Sequence, residues 1–122
     1  MPSKKANQYG TAAEHYVIEQ RNLEPARCYW HDARFQNGTP VEIKACDMDS
    51  TGYFQIYEEA HRKLRRAGGW YAFAPYRRSG PRARVVTVRM RRSSKMPLMK
   101  WSETGGHRDS RKAKVQISSV LS

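Results

Sequence analysis

Little in this sequence supports a disulfide-stapled, zinc-stapled or membrane-spanning protein. Of its 122 residues only 2 are cysteines. Cys28 and Cys46 both fall in stretches that read as strands, which suits reduced packing residues and no disulfide framework. A structural zinc site needs four ligands, whereas Cys28 and His31 make one loose pair and His15, Cys46, His61 and His107 are scattered. No apolar run approaches the length of a transmembrane helix, and Met1-Pro-Ser-Lys-Lys5 lacks the apolar region of a signal peptide. A cytoplasmic setting is therefore expected. Phosphate-binding loop, dinucleotide fingerprint, nucleophile motif, internal repeat and sustained heptad are all missing as well.

Acidic residues are the other scarcity: 11 Asp plus Glu face 23 Lys plus Arg, a formal net charge of +12. That imbalance favours a polyanionic partner through counterion release and electrostatic steering, and nucleic acid is the leading candidate. A chain of this length buries one core, so a single domain over residues 1–122 is expected.

Two of the scarce acids share one short stretch, Asp32-Ala-Arg-Phe-Gln-Asn-Gly-Thr-Pro-Val-Glu42-Ile-Lys44. Residues 33–36 and 41–46 read as strands, and the Asn37-Gly38 step between them is a hairpin signal because both residue types tolerate positive φ. Pairing would bring Asp32 close to Glu42 and Lys44. Side chains alternate faces along a strand, so Glu42 and Lys44 share one face while Val41, Ile43 and Ala45 enter the core. Two carboxylates suit a hard divalent cation, Mg²⁺ or Mn²⁺, and a lysine beside them can orient or activate water next to a phosphate.

Elsewhere, residues 1–8 form a flexible basic arm, and residues 9–91 form the core. Ala13, Tyr16, Val17 and Gln20 recur at helical spacing, predicting a helix over 9–21 with Glu14 one position off its apolar face. Leu23-Glu24-Pro25 stops it, and residues 26–31 alternate as a first strand. Asp47 and Asp49 read as loop and cap residues. Tyr53, Tyr57, Ala60, Leu64 and Ala67 make a helical stripe ended by Gly68-Gly69, with Gln55 near its start able to point back towards the acids. Residues 70–76 read as a buried strand and 83–90 as another. Residues 92–114 are a basic loop or a disordered segment, with Trp101 and Gly105-Gly106 as its interruptions, and residues 115–122 pack back on the domain. Candidate phosphate contacts are Arg62, Lys63 and Arg66 on the second helix, Arg77, Arg78, Arg82 and Arg84 around a basic turn, and Arg91 and Arg92 beyond the last strand.

An Asp followed by Glu-x-Lys on the next strand resembles the PD-(D/E)XK nuclease superfamily. Among its members the chain looks most similar to the archaeal Holliday junction resolvases, small basic nucleases in which Gly-x-x-x-Glu opens the first helix; here that segment is Gly10-Thr-Ala-Ala-Glu14. His31, not proline, precedes Asp32. The resemblance implies an α/β restriction endonuclease-like core, αβββαβ, with a mixed central sheet flanked by helices. It also implies a role for Glu14 near the metal, a homodimer, and a place in DNA recombination or repair.

The reading that follows is a Mg²⁺-dependent endodeoxyribonuclease, acting on branched DNA such as Holliday junctions, with no organic cofactor. Asp32 and Glu42 would hold the metal, Glu14 would bind it directly or through water, and Lys44 would serve the attacking water and the transition state. Two rivals stand beside it: a non-catalytic basic DNA- or RNA-binding protein on a degenerate nuclease fold, and an RNA-associated structural protein. Metal-dependent cleavage separates the enzyme from both.

Overall fold

In the computed structural model residues 4–103 and 110–121 are described. The expectations for Met1 to Ser3, Gly105-Gly106, His107 and Ser122 fall outside them. The first helix, α1 (Lys4–Gln20), starts earlier than expected, so residues 4–8 of the supposed arm are helical. Its buried stripe is Tyr9, Ala13 and Val17, spaced at i, i+4 and i+8, whereas Tyr16 of the expected stripe is exposed. The helix ends as the sequence predicts. Asn22 takes φ 52°, and the Leu23 amide donates to the Ile18 carbonyl and the Asn22 amide to Glu19, the Schellman arrangement with an apolar residue tucked in after it.

Three strands follow: β1 (Glu24–Cys28), β2 (His31–Arg34) and β3 (Pro40–Asp47). The β2–β3 turn is a three-residue loop, 36–38. Phe35 and Thr39 bond across it and the Gly38 amide donates to the Phe35 carbonyl. Only Gly38 uses positive φ there, at 91°, so the glycine carries the turn and Asn37 instead accepts the Thr39 amide on its side chain.

The expected second helix is divided. Residues 53–57 form β4 (Tyr53–Tyr57), with Phe54 and Ile56 buried by strand alternation, and only then does α2 (Glu58–Arg66) begin. The Gly68-Gly69 stop holds: Gly68 has φ 67°, and a Cβ on Gly69 would lie 2.4 Å from Leu64 Cδ1. The strand expected at 83–90 is likewise two: β6 (Arg82–Val85) and β7 (Arg89–Arg92), which pair with different halves of β5 (Trp70–Ser79) along one edge. Pro75 sits where β5 changes partner, its carbonyl taking the Val86 amide; the donor that proline lacks is not needed where the ladder is interrupted. Within 92–114, the described residues include a single 3-10 turn, Ser93–Lys95, and strand β8 (Lys112–Gln116), which runs into α3 (Ile117–Leu121).

The main sheet has the order β1-β2-β3-β5-β6 with β7 also on β5. It is mixed, because β3 and β5 are parallel and the other pairs antiparallel. On one face α1 covers Val41, Ile43, Ala72 and Ala74. On the other, Cys46, Tyr71 and Phe73 pack with Phe54, Ile56, Leu64, Val115 and Val120 from the β4–β8 ribbon, α2 and α3. This is the mixed sheet flanked by helices that was expected, with one strand more before α2. Both cysteines are free thiols, Cys28 exposed and Cys46 buried. No helix among the described residues is long and apolar enough to cross a membrane.

Candidate active site

The β2–β3 ladder is short. Ala33 pairs with Val41 and Arg34 with Pro40, and there the paired register ends. Asp32 is the next residue along β2, and its Oδ2 accepts the Ile43 amide at 2.9 Å. A carboxylate thus satisfies a backbone donor that strand pairing no longer serves. Beyond it a cleft of about 370 Å³ opens, lined by Gly10 and Glu14 of α1, Arg27 of β1, Asp32, residues 42–45 of β3, and Gln55 of β4. All four residues expected to do chemistry, Glu14, Asp32, Glu42 and Lys44, meet in it. Alternation along β3 sends Val41 and Ile43 under α1 and leaves Glu42 and Lys44 on the cleft side, with Lys44 Nζ 3.5 Å from Glu42 Oε2.

Burial sets the protonation of the acids. It pushes Glu42 up to about 8, helped by a hydrogen bond to Asp32 and opposed by the Lys44 charge. Burial and then contact with Asp32 push Glu14 to about 7, while Arg27 pulls the other way. For Asp32, burial also opposes ionisation, yet hydrogen bonds from both glutamic acids and from the Ile43 amide, together with Lys44, hold its carboxyl below the ordinary range. Asp32 is thus the carboxyl held towards the ionised form, while the two glutamic acids, although paired with Arg27 and Lys44, are held towards the protonated one. A cation entering the cleft would replace their protons.

Among the described residues, no three His, Cys, Asp or Glu side chains stand as a metal cage. A hard dication does not require one: Mg²⁺ typically takes one or two protein carboxylates and keeps waters that substrate phosphates can exchange. The all-oxygen donors beside Asp32 fit that chemistry.

Two further residues belong to the cleft. Arg27 pairs with Glu14, its guanidinium 2.5 Å from Oε2; nothing in the local pattern of β1 marked it, since its partner lies on α1. Gln55 reaches the cleft from β4, not from a helix start. A second cleft, of about 390 Å³, lies between α2 and residues 96–101. It lacks the acid cluster, Glu58 being the one carboxylate in its lining.

The expected phosphate contacts are dispersed. Arg62 lies 3.5 Å from Glu58, Lys63 stands over the Tyr29 ring, and Arg92 stands over Trp70. Arg91 donates to the carbonyls of Lys95, Ser119 and Val120, which ties β7 to the end of α3. Arg78 is held by Asp47. Arg66, Arg77, Arg82 and Arg84 are exposed. Asp49 lies in a turn as expected, but Asp47 ends β3 and no helix follows for either to cap, since β4 comes next: the Asp47 carbonyl takes the amides of Ser50, Thr51 and Gly52, and its side chain takes that of Asp49.

The sequence matches the family described as PD-(D/E)XK nuclease superfamily domain over residues 1–122. No curated protein matches it.

Proposed function

The chain belongs to the PD-(D/E)XK nuclease superfamily, and from that premise we propose that it is a Mg²⁺-dependent endonuclease that hydrolyses DNA phosphodiester bonds. Nuclease activity on DNA is what the family implies, and its members generally use divalent metal ions. The observation that carries the reading is the convergence of Glu14, Asp32, Glu42 and Lys44 where β2 leaves β3. Asp32 and Glu42 would hold the ion and Glu14 would reach it directly or through water, with Mn²⁺ able to substitute. Bound there, the ion would polarise the scissile phosphate and lower the pKa of water at the site. Lys44, held by Glu42, orients that water and offers its charge to the oxygens of the phosphorane-like transition state. Arg27 positions Glu14 through their ion pair.

The finer part of the proposal concerns the substrate. The Gly10-x-x-x-Glu14 segment lies inside α1 and does not open it, so branched DNA, four-way junctions first, rests on the sequence resemblance alone; a two-fold dimer would allow both strands to be cut. A DNA substrate also accords with the cytoplasmic setting expected from the sequence. The alternative is a non-catalytic DNA- or RNA-binding protein, in which the Lys44–Glu42 pair is only an ion pair on a strand. Incubation of the purified protein with junction, flap, duplex and single-stranded DNA, with and without Mg²⁺, tests both. Cleavage that needs the metal and disappears in Glu42→Ala supports the enzyme; binding without cleavage of any substrate leaves the alternative.

A further inference from the structure

The β5–β6 hairpin sorts its arginines onto two faces. Its register sets Arg77 opposite Arg84, Arg78 opposite Ala83 and Ser79 opposite Arg82, and cross-strand partners share a face. Tyr76, Ala83 and Val85 pack with Tyr9 and Ala13 of α1, so Arg78 lies on the α1 side. Its guanidinium stands 4.8 Å from the Tyr9 ring centre and 2.9 Å from the buried Asp47 carboxylate. Arg77, Arg82 and Arg84 project from the opposite face. Glu42 and Lys44 occupy that same face, because β3 and β5 run parallel with Glu42 beside Tyr71 and Lys44 beside Phe73, and Arg77 follows those two at even spacing.

Arg78 is what a structural arginine looks like in this fold, and its three neighbours lack every such feature. Among the described residues no carboxylate stands within ion-pair distance of Arg77, Arg82 or Arg84. Arg77 and Arg84 are also directly opposite like charges, an arrangement that destabilises a bare hairpin and that an intervening anion would relieve.

We propose that Arg77, Arg82 and Arg84 form a backbone clamp for double-stranded DNA on the catalytic side of the sheet, and that Arg78 anchors the hairpin and stays outside the clamp. The proposal rests on the nuclease reading for its choice of polyanion. Arg77 and Arg84, with Cβ atoms roughly 5 Å apart, would flank one phosphate. Arg82 lies roughly 7 Å further along the strand and reaches a neighbouring one. Two strand spacings across and four residues along put Arg84 roughly 16 Å from Lys44, about five nucleotide steps at ~3.4 Å of rise per step. The clamp would hold the substrate well away from the scissile bond and set affinity without touching the chemistry.

The test is binding to a short DNA duplex across a salt series in the absence of divalent metal, with thermal melting of each protein. Replacing both Arg77→Gln and Arg84→Gln should flatten the slope of log affinity against log salt by about one, and adding Arg82→Gln should bring the loss to about two. The melting temperature should stay level or rise as the repulsion goes. Arg78→Gln should instead lower the melting temperature and leave the slope alone. An unchanged slope in the folded triple variant, a slope loss in Arg78→Gln equal to that of the double variant, or no measurable binding by the wild type would overturn the clamp. Wild-type cleavage with Mg²⁺, run in parallel, separates the two readings. A cleaving protein with an unchanged slope in the triple variant loses only the clamp; the expected slopes without cleavage of any substrate sink the nuclease reading and leave a DNA-binding hairpin.

Discussion

The Asp32 carboxylate accepts the Ile43 amide at 2.9 Å, so one side chain both closes the β2–β3 ladder and stands at the centre of the acidic cleft. Structure and chemistry at this position can therefore be separated by the choice of substitution. Asp32→Asn keeps an acceptor for the Ile43 amide and should melt near the wild type, whereas Asp32→Ala orphans a partly buried donor and should cost roughly 1–3 kcal/mol. Both should abolish cleavage, as should Glu42→Ala, while DNA binding stays intact or strengthens with the loss of local negative charge. Purified variants that turn over at near wild-type rate would remove Asp32 and Glu42 from the site.

Lys44 has a different role from the acids beside it. Lys44→Ala should lower the rate by at least ~10²-fold, as expected when a positioned charge is withdrawn from a transition state, while Mn²⁺ binding measured by calorimetry persists. A variant that loses Mn²⁺ binding yet keeps its rate at saturating metal would place Lys44 with the metal and not with the water.

The raised acids make stability depend on pH in a definite direction. Glu14 and Glu42 move from 4.5 to about 7 and about 8 in the fold, so between those values the folded chain binds more protons than the unfolded one and stability falls as pH rises. Their contribution is complete below about 4.5 and is lost as pH passes through about 7 and 8. Without divalent metal, the melting temperature of the wild type relative to Glu42→Gln should fall between pH 5 and 8.5. Mn²⁺ should raise it more at pH 8.5, where it no longer competes with protons. A difference that stays flat or grows with pH would contradict the protonation described for the cleft.

Gly69 tests the packing beneath α2. A methyl group there would meet Leu64 Cδ1 at 2.4 Å, and Leu64 is fully buried, so Gly69→Ala should cost roughly 1–3 kcal/mol through overpacking. Chemical denaturation would read it as a lower midpoint at unchanged m-value; an unaltered midpoint would mean that Leu64 re-packs freely.

Several features were readable because their causes are local. Gly68 ends α2 by a left-handed residue and two backbone bonds within six positions, and Leu23-Glu24-Pro25 marked the end of α1, although the left-handed residue there is Asn22. Gly38 turns a three-residue loop. The alternation of Val41, Glu42, Ile43 and Lys44 sets each side chain on its face whatever lies beyond. Short-range features of this kind carried the hairpin, both helix stops and the face shared by Glu42 and Lys44.

Other features depended on partners distant in the chain. Residues 53–57 satisfy a helical stripe and a strand alternation equally well, and what makes them β4 is β8, with Phe54 lying opposite Val115. Whether residues 83–90 form one strand or two was decided by where β5 changes neighbours at Pro75. Arg27 entered the site because α1 sets Glu14 beside it, and Arg78 stands apart from Arg77, Arg82 and Arg84 because Asp47 pairs with its charge and the Tyr9 ring lies against it. By itself the sequence determined the residue types of the cleft and the local geometry of the hairpin that carries them, since turn chemistry and side-chain alternation act within a few residues. The tertiary structure alone decided where β2 leaves β3 and which charges are neutralised, because burial and ion pairing depend on groups that only the folded chain brings together.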